Sequence, residues 1–412
     1  MSLKAEETPP AIDTTAPGPL NGVRVLELGS IVAASFAARM LADLGAEVIK
    51  IEGPDNLDPL REWGQGSVDG RSLWWSIQSR NKKLVTLDLH GDEGQRVFRD
   101  LAATSDVIVE NFRPGTLERW NLGYDTLSAI NPRLILARIS GFGQTGPYRR
   151  RPGFAAVAEA MSGMRYINGY PDQAPPRVGL SLGDSIAGVF ASQGILAALH
   201  ERQRSGLGQE IDVSLVEACL AMMEGAVAEY DRLGIVRQPT GTRIPGVAPS
   251  NVFKTSDGLW FVIAASQQRM FERLCDTMGR PELITDERFR THEARVRHQV
   301  VLEDLVGEWA GEHTAAQLQE MLEDSQIAAG PVYTIAELVN DPQIIAREAL
   351  ITHEVDTGDF IAQGITPRLS RTPGSVRWSG PWNPGSHNDE VFGDLLGYDE
   401  AQRDQLSDRR VI

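Results

Sequence analysis

Cysteine is nearly absent: Cys219 and Cys275 are the only two in 412 residues, with no CxxC and no metal-ligand spacing around them. That excludes a disulfide framework and a cysteine-built metal site, and points to buried thiols in a reducing compartment. No stretch approaches the ~20 apolar residues that span a bilayer, and the N-terminus lacks the basic-then-apolar order of a signal peptide. The expectation is a cytoplasmic protein with no membrane partner. Basic residues are also short. Forty Lys and Arg against 56 Asp and Glu leave a net charge of −16, which favours solubility and argues against nucleic acid as a partner. Hydrophobic residues at 42% and charged residues at 23% are ordinary globular values and exclude bulk disorder.

Residues 1–18, rich in Pro, Thr, Ala and Glu, cannot bury enough apolar area to offset ordering and read as a flexible tail. From 19 the pattern alternates strand and helix. Arg24 to Leu28, Glu47 to Ile51, Leu84 to Leu89, Asp106 to Glu110 and Leu134 to Ile139 read as strands, with helices at Ala34 to Leu44 and Asp92 to Ala103 between them. This is an α/β layout with a largely parallel sheet, a large Rossmann-like domain over 19–225. Glu52 even occupies the place of a ribose-binding acid. Yet the first strand runs into Gly29-Ser30-Ile31-Val32-Ala33-Ala34, without the G-x-G-x-x-G that lets a pyrophosphate approach the backbone. A dinucleotide cofactor is therefore not expected, although a strand-to-helix turn still offers N–H groups to an anion.

Pro- and Gly-rich residues 226–249 read as a linker, and 250–330 as a smaller α+β domain. It contains a hairpin turning at Ser256-Asp257-Gly258 and helices near 267–278, 299–310 and 315–323. Residues 331–412 are expected to return to the large domain. Asp184, where Gly183-Asp184 ends a short apolar run and opens an amphipathic helix, has two readings. One is a helix N-cap, worth roughly 1 kcal/mol. The other is a nucleophilic carboxylate whose covalent adduct splits one hard step into two easier ones.

The order Pro19-Leu20-Asn21-Gly22-Val23-Arg24-Val25-Leu26-Glu27, Leu44-Gly45-Ala46-Glu47-Val48-Ile49-Lys50-Ile51-Glu52, Arg80-Asn81-Lys82-Lys83, Val109-Glu110-Asn111-Phe112-Arg113-Pro114-Gly115, Ser140-Gly141-Phe142-Gly143-Gln144-Thr145-Gly146-Pro147 and Gly183-Asp184-Ser185 resembles the class III CoA-transferases, the formyl-CoA transferase family. Gly385-Ser386-His387-Asn388-Asp389-Glu390-Val391 resembles that family's C-terminal signature. The resemblance implies a large domain built from both chain ends, a small domain between them, and an interlocked homodimer. It implies Asp184 as the catalytic nucleophile, passing through acyl-aspartyl anhydride and aspartyl-CoA thioester intermediates. Coenzyme A would enter as part of the substrate, with no other cofactor and no metal. By the same resemblance Ile31, Val32, Ala33, Lys82, Asn111, Phe112 and Arg119 contact CoA. Lys82-Lys83 read without it is a solvated basic turn. Arg150, within Arg149-Arg150-Arg151, is a phosphate clamp or part of an exposed cationic loop.

Two departures narrow the substrate. Gly53 follows the second strand where formyl-CoA transferases tend to carry arginine, and the glycine-rich tetrad of the oxalate-using branch is missing, with only Gly241 and Gly246 in that region. Arg165 to Asp172 and Pro175 to Gly179 resemble instead the branch handling succinyl-CoA and dicarboxylates such as citramalate, malate, mesaconate and itaconate. Transfer between two molecules and between two carboxylates of one molecule both fit that branch. A buried distal carboxylate needs a cation, for which Arg165 and Arg177 are the candidates. A 2-methylacyl-CoA racemase is the rival within the fold. That branch places a histidine shortly before the aspartate, and this chain has none between His90 and His200. A non-catalytic acyl-CoA-binding protein is the rival outside it, against which Asp184 counts.

Overall fold

The computed structural model describes residues 17–412; residues 1–16, most of the expected tail, lie outside it. Two compact units divide the chain. One takes in the chain up to Met164, Val178–Val227 and Glu348–Ile412, and the other Arg165–Arg177 and Ala228–Arg347. The second unit is thus wider than residues 250–330, and a helix, Ala226–Leu233, stands where the proline and glycine count suggested linker.

The first unit is organised by a six-stranded parallel sheet. Its strands are β1 (Arg24–Glu27), β2 (Glu47–Glu52), β3 (Lys82–Thr86), β4 (Val107–Glu110), β5 (Ile135–Ser140) and β6 (Glu210–Ser214), in the order β3-β2-β1-β4-β5-β6. Their apolar runs are near-continuous because both faces are covered. Side chains alternate between the faces. Val25, Val48, Val107, Val109, Ile135 and Ala137 pack under α1 (Ala33–Asp43) and a long helix, Leu182–Ser205. Leu26, Ile49, Val85, Ile108 and Leu136 pack on the other side under α2 (Asp92–Ala103) and the C-terminal residues Val391, Phe392 and Leu406.

The C-terminal signature finishes an exposed edge. Along β3, Leu84 N–H donates to His387 Nδ1 at 3.1 Å and the His387 N–H returns to Leu84 O at 2.9 Å. Asn388 Oδ1 accepts the Thr86 N–H at 3.0 Å. Backbone groups that would otherwise template another strand are satisfied within the chain.

Asp184 lies on the long helix, α4 (Leu182–Ser205), whose start packs between two shorter ones, α3 (Ala155–Met161) and α5 (Leu215–Leu220). By length and composition α4 could cross a bilayer, which corrects the expectation that no stretch approaches that length. Its small residues, among them Ala187, Gly188, Ala191 and Ser192, are instead buried in this unit. A Cβ on Gly188 would lie 3.0 Å from Ala33 O and 3.0 Å from Phe36 Cδ1, so α4 crosses α1 at a distance where any larger residue would require its neighbours to give way.

The second unit pairs β7 (Ser250–Lys254), β8 (Trp260–Ala264) and β9 (Ala328–Pro331) antiparallel. Helices Gln268–Thr277, Gln299–Ala310 and Ala315–Asp324 contribute Leu274, Val306, Leu318 and Leu322 to its core.

Candidate active site

Strand order reverses between β1 and β4, and in open α/β sheets the crevice beyond the carboxyl ends of such a pair is where ligands bind. The loops leaving these two strands are joined by one side chain. Asn111, just after β4, accepts the Ser30 N–H at 2.9 Å and donates to Ser30 O at 2.8 Å. Ile31 then takes a left-handed backbone, φ 65°, unusual for a β-branched residue, and its N–H donates to Asp58 Oδ1 at 2.9 Å. Val32 is the N-cap of α1 and provides no side-chain cap for the first N–H groups of that helix. Phe112 donates its N–H to Glu110 Oε2 at 2.5 Å and sets its ring edge-on to Trp120, centroids 5.3 Å apart. Ile31, Val32, Ala33, Asn111 and Phe112 therefore come together. Arg119 ends the short helix after the Asn111 loop, exposed, with Nη2 on Thr116 Oγ1 at 2.9 Å. Arg150 is exposed between β5 and α3, beside Arg151, whose guanidinium lies 3.6 Å from the Tyr148 ring centroid.

Lys82 is placed differently from either sequence reading. It is 0% exposed, so it is no solvated turn and shows no face to an arriving phosphate. Its Nζ lies 2.6 Å from Glu27 Oε2 and donates to Ser35 O at 2.9 Å. Glu27 also holds Lys50 Nζ at 2.9 Å, and Lys50 reaches Asp58 Oδ2 at 2.8 Å. Burial alone would raise the Glu27 carboxyl, but Lys50 and Lys82 outweigh it and hold it near about 2. Burial lowers both lysines. For Lys50, between Glu27 and Asp58, the two carboxylates reverse the direction and raise it. Lys82 shares a single carboxylate with Lys50 and stays depressed, at about 8. Glu52 is not a ribose acid either. It accepts Arg61 Nε at 2.9 Å and Nη2 at 2.5 Å, and the Asp58 N–H at 2.9 Å.

Asp184 lies in the first turn of α4 rather than at its cap, which is Ser181. A carboxylate there is favoured by the helix dipole. The preceding Gly183 is wedged between α3 and α5: a Cβ would meet Cys219 Sγ at 3.2 Å, Ala155 Cβ at 3.3 Å and Glu159 Cγ at 3.3 Å. Its N–H donates to Glu159 Oε1 at 3.1 Å, and Glu159 is 3% exposed. Burial, then the charges of Glu159 and Asp184, push the Cys219 thiol up to about 11. Gly188, four residues after Asp184 and so on the same helix face, is the residue that meets Ala33. The Asp184 face of α4 is thereby turned toward the start of α1. Arg165 and Arg177 belong to the second unit, where Arg165 Nη2 donates to Pro175 O at 2.9 Å.

Glu159 and Asp58 escaped the sequence reading. The signal for Glu159 is a lone charge in the apolar run Ala155-Ala156-Val157-Ala158-Glu159-Ala160-Met161; for Asp58 it is the Asp-Pro pair that opens a helical turn.

An α/β sheet with an anion-ready switch point and an aspartate at a glycine-packed helix start suits an enzyme that handles an acyl-nucleotide conjugate. The chain belongs to CoA-transferase family III, whose family model matches residues 20–388. It is 51% identical to the succinyl-CoA–D-citramalate CoA-transferase of Chloroflexus aurantiacus over 96% of this chain and 98% of that one. It is 40% identical to the β subunit of succinyl-CoA–L-malate CoA-transferase of the same organism, over 97% and 99%. Among solved structures, a CaiB/BaiF family protein from Brucella suis aligns with TM-score 0.81 at 33% identity, over 92% of this chain and 100% of that one.

Proposed function

We propose that this CoA-transferase moves CoA from succinyl-CoA to a C4 or C5 dicarboxylic acid of the citramalate type, with Asp184 as nucleophile. The 51% identity to the citramalate enzyme over nearly the whole of both chains carries this reading. In the first half-reaction an Asp184 carboxylate oxygen attacks the thioester carbonyl, and the tetrahedral oxyanion collapses by expelling CoA thiolate, leaving a mixed anhydride. The thiolate attacks the aspartyl carbonyl and expels succinate, giving an aspartyl-CoA thioester. The acceptor carboxylate then attacks that thioester, and the thiolate it releases attacks the new acyl carbonyl, returning Asp184 as carboxylate. Donors aimed at such an oxyanion are typically worth about 3 kcal/mol each. Water has to be kept out, because each anhydride is hydrolysable.

Ile31 to Ala33, Asn111 and Phe112 would line the CoA side, with Arg119 and Arg150 as outer cations for its phosphates. Lys82 supports the sheet behind that loop rather than touching CoA. The protein works as a homodimer in the cytoplasm on this reading. Exposed Phe154, Leu180 and Val189, at 64%, 69% and 45%, supply apolar area near the Asp184 end of α4 for a second copy to cover. The test is a transfer assay with succinyl-CoA against citramalate, malate, mesaconate, itaconate, glutarate, oxalate and formate, products resolved by mass. Citramalyl-CoA or malyl-CoA should form, and Asp184→Ala should lower the rate by at least about 10³-fold. An unchanged rate in that variant removes Asp184 as nucleophile. Solvent deuterium at the α-carbon of a 2-methylacyl-CoA, without transfer, would establish the racemase instead.

A further inference from the structure

The turn at Ile31 is strained, and what holds it comes from outside the loop. A non-glycine residue in the left-handed region is strained, and it persists only where its surroundings over-determine it. Here they do. Asp58 Oδ1 accepts the Ile31 N–H at 2.9 Å and the Leu60 N–H at 2.9 Å. Its other oxygen sits 2.8 Å from Lys50 Nζ. Lys50 also donates to Gly29 O at 2.8 Å, so a single ammonium grips the loop two residues before the turn and the carboxylate that holds the turn. Lys50 and Asp58 are 1% and 5% exposed. Neither reaches the crevice.

We propose that Asp58, locked by Lys50, is a positioning residue: it holds the left-handed turn at Ile31 and thereby aims the start of α1 at bound CoA. This rests on the reading that Ile31 to Ala33 line the CoA site. Asp58 touches neither CoA nor the reacting carbonyl, so its loss acts on the binding term. A displacement near 1 Å in a positioning element is enough to cost about 10²-fold.

The test couples two substitutions. Glycine adopts the left-handed conformation without steric penalty, so Ile31→Gly removes the strain that the outside support has to hold. Asp58→Ala is expected to raise KM for succinyl-CoA, and Kd for CoA itself, about tenfold or more in the Ile31 background, with kcat changed less than about threefold. In the Ile31→Gly background the same substitution should change KM by less than about threefold, a non-additivity expected only of coupled sites. Hydrogen exchange of the peptide spanning 28–33, measured without ligand, should speed up in Asp58→Ala and not in the double variant relative to Ile31→Gly. If Asp58→Ala does not fold, Asp58→Asn keeps one oxygen for the Ile31 N–H but loses the ion pair to Lys50 that locks it, so the same cycle should show a smaller rise in KM in the Ile31 background that again falls away with Ile31→Gly. An equal KM penalty in both backgrounds overturns the inference. So does a fall in kcat at constant KM. Faster exchange at 28–33 with unchanged CoA affinity overturns the placement of this loop in the CoA site while leaving Asp184-dependent transfer standing.

Discussion

Replacing Lys82 by Met separates a buried structural ammonium from a phosphate ligand. Lys82 is sealed from solvent and shares Glu27 with Lys50. Burial draws its pKa from 10.5 down to about 8, so the unfolded chain binds this proton more tightly than the folded one. This group's contribution to stability is therefore lowest below pH 8, grows as pH rises from about 8 to 10.5, and is fully present above. Each pH unit in that window is worth roughly 1.4 kcal/mol, about 3 kcal/mol in all. Lys82→Met removes this term. Against it stands the loss of a partner for Glu27, which still keeps Lys50. The two nearly cancel, so the variant should lie within about 2 kcal/mol of the parent at pH 7. Glu27→Gln strips both lysines of their shared carboxylate and should cost about 3–5 kcal/mol. Urea unfolding of parent and Lys82→Met at pH 7, 8, 9 and 10 reads the difference directly. The gap should shift in the parent's favour by about 1 kcal/mol per unit above pH 8, while KM for succinyl-CoA stays within about threefold. A tenfold rise in KM with no pH-dependent gap would refute the reasoning and return Lys82 to the CoA phosphates.

Packing sets two further outcomes. Gly188→Val puts branched carbon where a single Cβ already lies 3.0 Å from Ala33 O; overpacking should cost about 1–3 kcal/mol, and turnover should fall as Asp184 moves with α4. Denaturation midpoints and kcat on one preparation check both, and a fully active, equally stable variant would show that the crossing is looser than described. Cys219 and Cys275 are 0% and 1% exposed, with thiols pushed mainly by burial to about 11 and about 12. Neither should react with a thiol reagent at pH 7.5 until denaturant is added, and rapid labelling of the native protein would contradict that burial.

Much of the large unit was legible because strand and helix periods are local. The runs at 24–28, 47–51 and 106–110 match β1, β2 and β4 to within about a residue, the usual scatter of element ends. Asn111 stands out by motif, and the structure joins it to the Ser30 loop. The N-cap reading of Asp184 fails, because α4 begins two residues earlier, at Leu182. A cap is set by backbone angles that residue type only biases.

The sequence by itself determined the doubly wound sheet and the family, since each is carried by period or by contiguous motifs. Tertiary structure alone decided where the charges went. Lys82 reads as a CoA contact or a solvated turn and is core, because Glu27, 55 positions earlier in the chain and two strands away in the sheet, receives its ammonium. Glu52 looked like a ligand acid and belongs to Arg61, while Asp58 looked like nothing and holds the Ile31 turn. A buried charge is tolerated only with its partner in place, and which residues become partners depends on strand order, which no local window of sequence contains.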